Sequence, residues 1–513
     1  MSHYTNAMPV RDGRDNLLAG DQTPAVPSSP ARVAGAATVE DRERLLAALR
    51  AAIGGERVLT QPEALAAFAR DFLQRTRGVP ASVPDGEAPL AVVRPQSTQQ
   101  VAAIMRVLAR ERVPLVEFGG GTGLMGGVRV TQPGVVLDTR SLNRIIAISA
   151  EDRTAHIEAG VVLADLATAL APHGLIVGHD PWTFPIATAG GTLSTNGLGY
   201  LGGRYGSMGD QALGLTAVLG DGTIVRTRPA LRSSTGPRLR ALFAGAEGAL
   251  GVITEVVLRV FPKPETEALL GYRFAGFDEG YRAIQALFAA GFSPTVIDFG
   301  QTFSGERSGE RLTTPAGEPG ILFAGFQGLR EEVRALVRRA RKLLERHGAV
   351  RLPPARSRRF WRDRHVIAEE MRRRQQQPAQ MPDWLPAGVL FDFIHVSLPP
   401  SHVLEFKARA EQLLLGRGVS IGEWGLWNSP ELFSATLFRR ARTPDDRETF
   451  AAAIDAALRL AQDLDGSMEY CHGAGLRLAA LMPREHGSGM DLLRAIKHAA
   501  DPLGILNPGK LGL

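Results

Sequence analysis

Cysteine and long apolar runs are scarce in this 513-residue chain, and each absence excludes a class of protein. The single cysteine, Cys471, excludes an internal disulfide and is compatible with a reducing compartment. No apolar run reaches the ~18 residues of a membrane span, and the N-terminus lacks the basic start and apolar core of a signal peptide. We therefore expect a cytoplasmic protein without a transmembrane segment.

The charge pattern gives no sign of a nucleic-acid partner. Lysine and arginine together number 59 against 53 acidic residues, but the excess forms no continuous basic stripe. Much of the arginine lies between Arg330 and Arg374, where acids such as Glu331 and Glu345 are interleaved with it. This pattern is typical of solvated helix faces, so we expect no nucleic-acid binding. Attraction of an anionic substrate is compatible with it.

A dense glycine cluster is the most informative feature that is present. Residues Phe118–Gly127 contain six glycines and follow a strand-like run, Val113–Glu117. Glycine tolerates positive φ angles and lets a polyanion approach the backbone amides, and Thr122 adds a hydroxyl donor. The cluster therefore predicts a pyrophosphate cradle and a nucleotide cofactor. It leads into a second strand rather than a helix, which differs from a Rossmann fingerprint.

The order of elements along the chain predicts an α+β protein. Residues 1–37 are polar and aperiodic, which predicts a disordered tail. Short strands and helices alternate over 38–264, and a Pro-Lys-Pro step at the end marks a domain boundary. Over 265–467 longer strands separated by helices indicate a helix-backed, mainly antiparallel sheet. Residues 468–513 return to glycine-rich motifs, and we expect them to rejoin the first domain.

Six motifs follow one another along the chain: Phe118–Gly126, Gly178–Pro181, Ala189–Gly197, Arg204–Asp210, Gly245–Glu255 and Asp501–Lys510. This ordered set resembles the FAD-linked oxidases of the vanillyl-alcohol oxidase type. Within them it is most similar to the D-lactate and glycolate dehydrogenase branch and to alkyldihydroxyacetonephosphate synthase. The resemblance implies a two-subdomain PCMH-type FAD-binding domain and a cap domain for the substrate.

The resemblance also implies which residues bind FAD. They are Gly119, Gly120, Gly121, Thr122, Gly123, Leu124 and Met125 on the pyrophosphate; Asp180, Pro181, Gly190, Gly191, Ser194, Thr195 and Asn196 along the isoalloxazine and ribityl chain; Glu247, Gly251, Val252 and Ile253 on the adenine side; and Asn507 and Lys510, which reach back to the cofactor. Val252 and Ile253 also fit a packed strand. Relatives that tether FAD often carry a histidine beside the loop. Glu117 and Phe118 stand there instead, so we expect non-covalent FAD.

Two residues are candidates for catalysis. Phe360–His365 resembles the Trp-x-x-Arg signature of D-2-hydroxy-acid dehydrogenases, which would put Arg364 on a substrate carboxylate; an arginine-rich surface helix is an equally good interpretation. Tyr470–Gly475 resembles a Glu-His-Gly-x-Gly motif and makes His472 the base that takes the hydroxyl proton. A second Glu-His-Gly run, Glu485–Gly487, is predicted to lie on a loop and is given no role.

The resemblance fails at the metal site. Metal-dependent members of the lactate branch carry two histidines around a Gly-Asp-Gly-Asn core and the glutamate of Glu-His-Gly. By position, Glu423 and Pro430 replace the histidines and Cys471 replaces the glutamate. We therefore expect an enzyme without metal. Because of these changes, the resemblance does not predict D-lactate specifically as the substrate.

The favoured function is an FAD-dependent oxidoreductase that moves hydride from a small hydroxy acid or alcohol to the flavin. One alternative is a transferase like alkyldihydroxyacetonephosphate synthase, because the His-Gly-Ala-Gly segment fits that family about as well. Another is a flavin-binding subunit of a larger oxidase complex. The partner is a small-molecule substrate. The sequence does not identify the electron acceptor, and it is compatible with a homodimer.

Overall fold

The computed structural model describes residues 38–74, 76–303, 318–374 and 387–513. The predicted disordered tail lies outside these residues. The strands, in chain order, are β1 Val58–Leu59, β2 Ala91–Val93, β3 Leu115–Phe118, β4 Val135–Asp138, β5 Ile145–Ser149, β6 Thr154–Glu158, β7 Leu175–Ile176, β8 Ala212–Val218, β9 Ile224–Arg226, β10 Val252–Arg259, β11 Phe261–Pro262, β12 Thr266–Phe274, β13 Val296–Thr302, β14 Gly320–Gly328, β15 Val350–Arg351, β16 Val389–Ser397, β17 Ser420–Trp427 and β18 Leu432–Arg440.

The helices complete the element order. They are α1 Val39–Ile53, α2 Pro62–Ala66, α3 Thr98–Glu111, α4 Leu163–Leu170, α5 Ala189–Ser194, α6 Gly202–Tyr205, α7 Met208–Gln211, α8 Phe277–Ala289, α9 Arg330–Arg346, α10 Pro354–Asp363, α11 Val366–Arg373, α12 Val403–Leu415, α13 Asp445–Asp463, α14 Met482–His486 and α15 Gly489–Ala500. Along the stretches of chain that the structure covers, no helix is both long enough and apolar enough to cross a bilayer.

A four-stranded sheet carries the glycine loop at the end of its edge strand. Its order is β1-β2-β4-β3, with β2, β3 and β4 parallel. Helix α3 covers it, capped by Ser97, whose hydroxyl accepts from the Gln100 N–H at 3.2 Å. The free edge of β3 is extended by the C-terminal segment, because the Leu115 N–H donates to the Ile505 carbonyl and the Asn507 N–H to the Leu115 carbonyl.

A second, five-stranded antiparallel sheet supplies the opposite side of the same region. Its order is β5-β6-β10-β8-β9, with β10 at the centre. Val252, Ile253, Val256 and Leu258 of β10 are fully or almost fully buried, as expected for a strand between two neighbours, and Val257 is partly exposed. The turn before β10 and helix α5 therefore sit on a rigid base.

The cap is a seven-stranded antiparallel sheet backed by long helices. Its order is β15-β12-β14-β13-β17-β18-β16. Alternate residues along the strands point to one face of the sheet. There they form the main hydrophobic core together with α8, α9, α12 and α13. Polar and aromatic residues of the other face, such as His395 and Trp427, alternate with these buried positions.

Buried polar contacts join this cap sheet to the cofactor-binding sheets. Arg77 donates from Nε to Asp392 Oδ1 at 2.7 Å and from Nη1 to the Leu124 carbonyl at 2.6 Å. Asn428 donates to the Gly199 carbonyl at 2.9 Å. Removal of one partner of a buried ion pair strongly destabilises the folded protein, because the other charge is left buried without a partner. The Arg77–Asp392 pair therefore holds the cap in place over the loops beneath it.

The second Glu-His-Gly run belongs to helix α14, and the loop predicted there is wrong. Glu485 Oε2 accepts from Gln462 Nε2 at 2.7 Å and from the Met468 N–H at 3.3 Å. These bonds fix the backbone just before the Tyr470–Gly475 motif. The run therefore has a packing role beside the motif that it resembles.

Candidate active site

The glycine loop forms one wall of a cavity of about 1270 Å³. Its composition follows from packing. A Cβ at Gly119 would stand 2.5 Å from Thr188 Oγ1, and one at Gly120 would stand 2.7 Å from the Ile186 carbonyl oxygen. Gly121 has a φ of +69°, in the left-handed region. Larger residues at Gly119 or Gly120 would force the loop away from α5 and change the shape of the cavity.

Helix α5 forms the facing wall. The Thr188 hydroxyl caps it by accepting from the Gly191 N–H at 3.3 Å. A Cβ at Gly190 would lie 2.6 Å from the Ala159 Cβ, so the helix packs directly on the end of β6. This close packing leaves Gly191, Ser194 and Thr195 lining the cavity.

The turn before β10 ties this wall to the C-terminal segment. Glu247 has a φ of +47°, and its carboxylate accepts from the N–H groups of Ala474 at 2.7 Å and Gly475 at 2.9 Å. Burial raises the pKa of Glu247 to about 7, although the two backbone bonds oppose the shift. Asn507 donates to the backbone carbonyls of Glu247 and Gly127. Hydrogen bonds therefore join the turn before β10, the glycine loop and the C-terminal segment to one another.

These walls fit a flavin dinucleotide. The glycine walls of the cavity would let a planar ring and a polyanion approach the backbone closely. No lysine or arginine is among the described residues that line it. A pyrophosphate would therefore depend on backbone N–H groups and hydroxyls such as that of Thr122.

Most of the residues that the sequence predicts for FAD line this one cavity. The lining members are Gly119, Gly120, Gly121, Thr122, Gly123, Leu124, Met125, Pro181, Gly190, Gly191, Ser194, Thr195, Glu247, Gly251, Ile253 and Asn507. Those that do not line it are Asp180, Asn196, Val252 and Lys510. The second group lies behind the walls.

Each of these four has a different partner. Val252 is fully buried in the strand core. Asn196 accepts from the Gly209 N–H at 3.0 Å, and Lys510 donates to the Arg129 carbonyl. Asp180 pairs with Arg364. They support the backbone around the cavity.

His472 lines the cavity, and acidic and aromatic groups surround it. Its Nδ1 lies 3.5 Å from Glu469 Oε1. Its ring stands edge-on to that of His395, with centroids 4.5 Å apart, and 5.2 Å from that of Phe393. Burial opposes ionisation of Glu469, yet the neighbouring His472 lowers the pKa of that carboxyl to about 2. The arrangement is an imidazole at a cavity wall with an ionised carboxylate beside it.

His395, Glu469, Cys471 and His472 together offer four potential metal ligands within 4.8 Å of one another. The sequence analysis considered Glu423, Pro430 and Cys471 and missed His395 and Glu469. Two of the four are poor ligands as they stand. Glu469 Oε1 accepts from the N–H groups of residues 470, 471 and 472 at 2.9 to 3.1 Å. Burial raises the pKa of the Cys471 thiol well above its usual range, which disfavours a thiolate ligand.

Arg364 lies beside the cavity rather than on its wall. Its Nε donates to Asp180 Oδ2 at 3.0 Å, and its guanidinium carbon lies 3.8 Å from the Trp361 ring centroid. His365 Nε2 lies 2.8 Å from Asp180 Oδ1. Because Pro181 lines the cavity, the Arg364–Asp180 pair is one residue removed from it. The side chain is only 19% exposed, which argues against a freely solvated surface arginine.

Several lining residues were given no role by the sequence, and His179 and Trp182 are two of them. Both ring nitrogens of His179 are buried without a hydrogen-bond partner among the described atoms, and burial lowers its pKa to about 4. The available signal was the Gly-His-Asp-Pro motif, from which only the last two residues were given roles.

Comparison with protein families gives two matches. A model described as FAD binding domain matches residues 89–228. A model described as FAD linked oxidases, C-terminal domain, matches residues 263–511. The two matches follow each other along the chain with residues 229–262 between them, and the first includes the glycine loop.

Two curated relatives extend over nearly the same length. The chain is 30% identical over 491 residues to glycolate oxidase subunit GlcD of Escherichia coli (strain K12), covering 93% of each protein. It is 28% identical over 447 residues to D-lactate dehydrogenase of Archaeoglobus fulgidus, covering 84% of this chain and 93% of that protein.

Solved structures share the fold at low identity. Alkyldihydroxyacetonephosphate synthase matches with a TM-score of 0.71 at 18% identity, over 91% of this chain and 85% of that one. p-Cresol methylhydroxylase with substrate bound matches with a TM-score of 0.70 at 19% identity, over 93% and 98%. At such identities the likeness shows the fold alone. It confirms the predicted α+β architecture of PCMH type.

Proposed function

Because the chain belongs to the family of FAD-linked oxidases, we propose that it uses FAD to oxidise a small 2-hydroxy acid, or a related alcohol, in the cavity between the glycine loop and the cap. Two relatives are named for acids of this kind, glycolate and D-lactate. The observation that carries the proposal is that His472 lines the same cavity as the glycine loop.

His472 is proposed to act as the general base. Neutral imidazole accepts the proton of the substrate hydroxyl, and the nearby Glu469 carboxylate stabilises the imidazolium that forms. When bound, FAD supplies the acceptor for the hydride that leaves the same carbon. One proton thus goes to His472 Nε2 or Nδ1 and two electrons leave with the hydride, so the alcohol carbon becomes a carbonyl.

Arg364 is proposed to hold the substrate carboxylate. A guanidinium offers five N–H donors, so the bond to Asp180 leaves others for a ligand. Stacking on Trp361 fixes the plane of the group. The anionic substrate would share Arg364 with Asp180 at the cavity edge.

The reaction is proposed to proceed without a metal ion. A Lewis acid next to the substrate would need several free ligands. Of the four potential ligands beside His472, Glu469 already accepts three backbone N–H groups through one oxygen, and Cys471 favours the neutral thiol. The ligands that remain are His395, His472 and the second oxygen of Glu469, and they carry a single negative charge, which favours weak binding of a divalent ion.

The remaining expectations belong to the same proposal. We keep the segments 38–264, 265–467 and 468–513 as the FAD-binding, cap and returning segments; the seven-stranded sheet between Thr266 and Arg440 supports that division. We also keep a cytoplasmic location, which a single cysteine supports. The electron acceptor is a separate molecule that accepts electrons from the reduced flavin, and a homodimer is compatible with the described surface.

Anaerobic mixing of the yellow protein with a panel of substrates tests the function. The panel contains 2-hydroxy acids, phenolic alcohols and acyl-glycerone phosphates. Bleaching of the flavin absorbance by a 2-hydroxy acid supports the proposal. Exchange of the head group of an acyl-glycerone phosphate, without net flavin reduction, would replace it with the transferase. Failure of every compound to bleach the flavin would favour a flavin-binding subunit that requires its partner proteins.

A further inference from the structure

Glu117 is a half-buried acid on the cofactor cavity, and its carboxyl group lacks a hydrogen-bond partner in the described part of the chain. Both of its oxygens are buried and have no hydrogen-bond partner within the ranges that the structure describes. The other two acids that line the cavity each have at least one bonded oxygen: Asp71 Oδ1 accepts from the Leu73 N–H at 3.1 Å, although its Oδ2 has no partner among the described residues, and Glu247 accepts two backbone N–H groups. An unpaired buried carboxyl is costly unless a ligand pairs with it.

The position of Glu117 directs this carboxyl to the cofactor. It lies on β3 two residues before Gly119, and it lines the cavity together with Gly119, Gly120 and Gly248. A Cβ at Gly248 would stand 1.9 Å from Glu117 Oε2. The glycine at 248, with a φ of +78°, therefore leaves the space that the carboxyl occupies.

Nearby lysines do not neutralise Glu117. Lys497 Nζ donates to the carbonyls of Ala249 and Leu506 and to Asp501, which uses all three of its N–H groups. Lys510 donates to the Arg129 carbonyl. Glu117 therefore faces the cavity without a cation bonded to it.

We propose that Glu117, as a neutral carboxylic acid, donates a hydrogen bond to the ADP half of bound FAD and makes the site selective for FAD over FMN. The ADP half offers acceptors in its pyrophosphate oxygens and adenine nitrogens. A neutral carboxyl donates to such acceptors, whereas a carboxylate would repel the pyrophosphate. Because no lysine or arginine is among the described lining residues, a hydrogen bond from Glu117 would contribute a larger share of the binding free energy of the ADP half.

The protonation state agrees with this role. Burial raises the pKa of Glu117 to about 8, while Lys497 and Lys510 lower it and Asp501 raises it. The carboxyl is therefore neutral at pH 7 even before a ligand binds. A ligand that binds only the protonated form weakens as the pH rises above that pKa, by about tenfold for each pH unit.

Titration of the apoprotein with FAD and with FMN tests the proposal. Flavin fluorescence quenching gives both dissociation constants at about pH 6.5 and about pH 9.5, a span that brackets the Glu117 pKa. FAD affinity of the unaltered protein should fall by roughly tenfold or more over this range. In Glu117→Gln the amide N–H replaces the carboxyl donor, so FAD affinity should stay close to its low-pH value throughout. FMN affinity should be the same in both proteins.

Other titrating groups face Glu117, and the variant separates their effects from its own. Lys497, Lys510 and Asp501 act on it from the C-terminal segment, and Lys510 in turn interacts with Glu247, Asp71 and Arg129. All of them remain in Glu117→Gln. A pH dependence that persists in the variant, or FAD affinity in the unaltered protein that is independent of pH, would overturn the proposal.

A second variant and two competitors complete the design. Glu117→Ala should lose FAD affinity by about tenfold or more while FMN affinity is kept, which a misfolded protein would not do. Unchanged FAD affinity in Glu117→Ala contradicts the proposal. Competition against FAD identifies the atom that accepts the hydrogen bond. If both ADP and inorganic pyrophosphate inhibit FAD binding in a pH-dependent way, the acceptor is a phosphate oxygen. If only ADP does so, the acceptor is an adenine nitrogen. Inhibition by ADP that does not change with pH counts against any bond from Glu117.

Discussion

His472 Nδ1 lies 3.5 Å from Glu469 Oε1, and the same carboxylate oxygen accepts the backbone N–H of His472 at 3.0 Å. One acid thus holds both the main chain and the ring of the proposed base. A carboxylate that orients an imidazole and stabilises its cation is a recurrent arrangement in enzymes that remove protons from hydroxyl groups.

Replacement of His472 tests the base directly. His472→Ala should slow flavin reduction by the substrate roughly 10²- to 10⁴-fold, because the hydroxyl proton loses its acceptor. FAD content should stay unchanged. Stopped-flow absorbance measures the rate, and His486→Ala is the matched control because His486 belongs to the second Glu-His-Gly run. Normal reduction in His472→Ala would assign His472 to packing.

Replacement of Arg364 tests the nature of the substrate. Arg364→Ala should weaken binding of acidic substrates by about 1.5–3 kcal/mol, the size of a hydrogen bond to a charged group. Arg364→Lys should restore only part of it, because the planar fork is lost. Arg362→Ala, two residues before Arg364 and paired with neighbouring Asp363, serves as control. If acids bind equally well to Arg364→Ala, a neutral alcohol or phenol becomes the better candidate.

Chelation tests the expectation that no metal takes part. Turnover should survive prolonged treatment with a strong chelator, and elemental analysis should find no stoichiometric zinc or manganese. The physical reason is that Glu469 and Cys471 are poor ligands in their present state. One equivalent of metal, with activity lost on its removal and in His395→Ala, would show instead that the cluster beside His472 binds it.

The cofactor itself should be dissociable. Purified protein should carry about one FAD per chain, and acid or heat should release it, because the residues beside the glycine loop include no histidine or cysteine. Gly121→Leu should lower FAD content, since Gly121 has a positive φ and its Cβ would stand 2.5 Å from the Phe118 ring. Gly55→Ala, in open space, is the control. Yellow colour that stays on the denatured chain would contradict the non-covalent bond.

The cofactor-binding residues could be predicted because they lie close together in the sequence. The glycines of residues 119–127 are consecutive, so one stretch of sequence describes a whole wall of the cavity. The helix α3 and the strand β10 could be predicted for the same reason, because the residues that specify each element lie within it. Their apolar spacing and capping residues determine the elements without reference to distant parts of the chain.

The substrate side could not be predicted to the same extent, because its contacts are set by tertiary structure. Asp180 was expected at the flavin, yet it pairs with a residue 184 positions away. His395 meets His472 only because the register of β16 against β18 points it to the cofactor side of the cap. Strand β17 was compared only with a metal motif, because Glu423 and Pro430 stand by position where the metal-dependent relatives have histidines.

The bond from Asn507 to the Gly127 carbonyl spans 380 positions of the chain. During synthesis on the ribosome, the glycine loop emerges long before the segment that supports it, and the whole cap is made in between. Contacts of such high sequence separation form late in folding. We therefore expect that a nascent chain captures FAD only after the cap has emerged, and that cells starved of riboflavin accumulate a folded cap beside an unfinished cofactor-binding region.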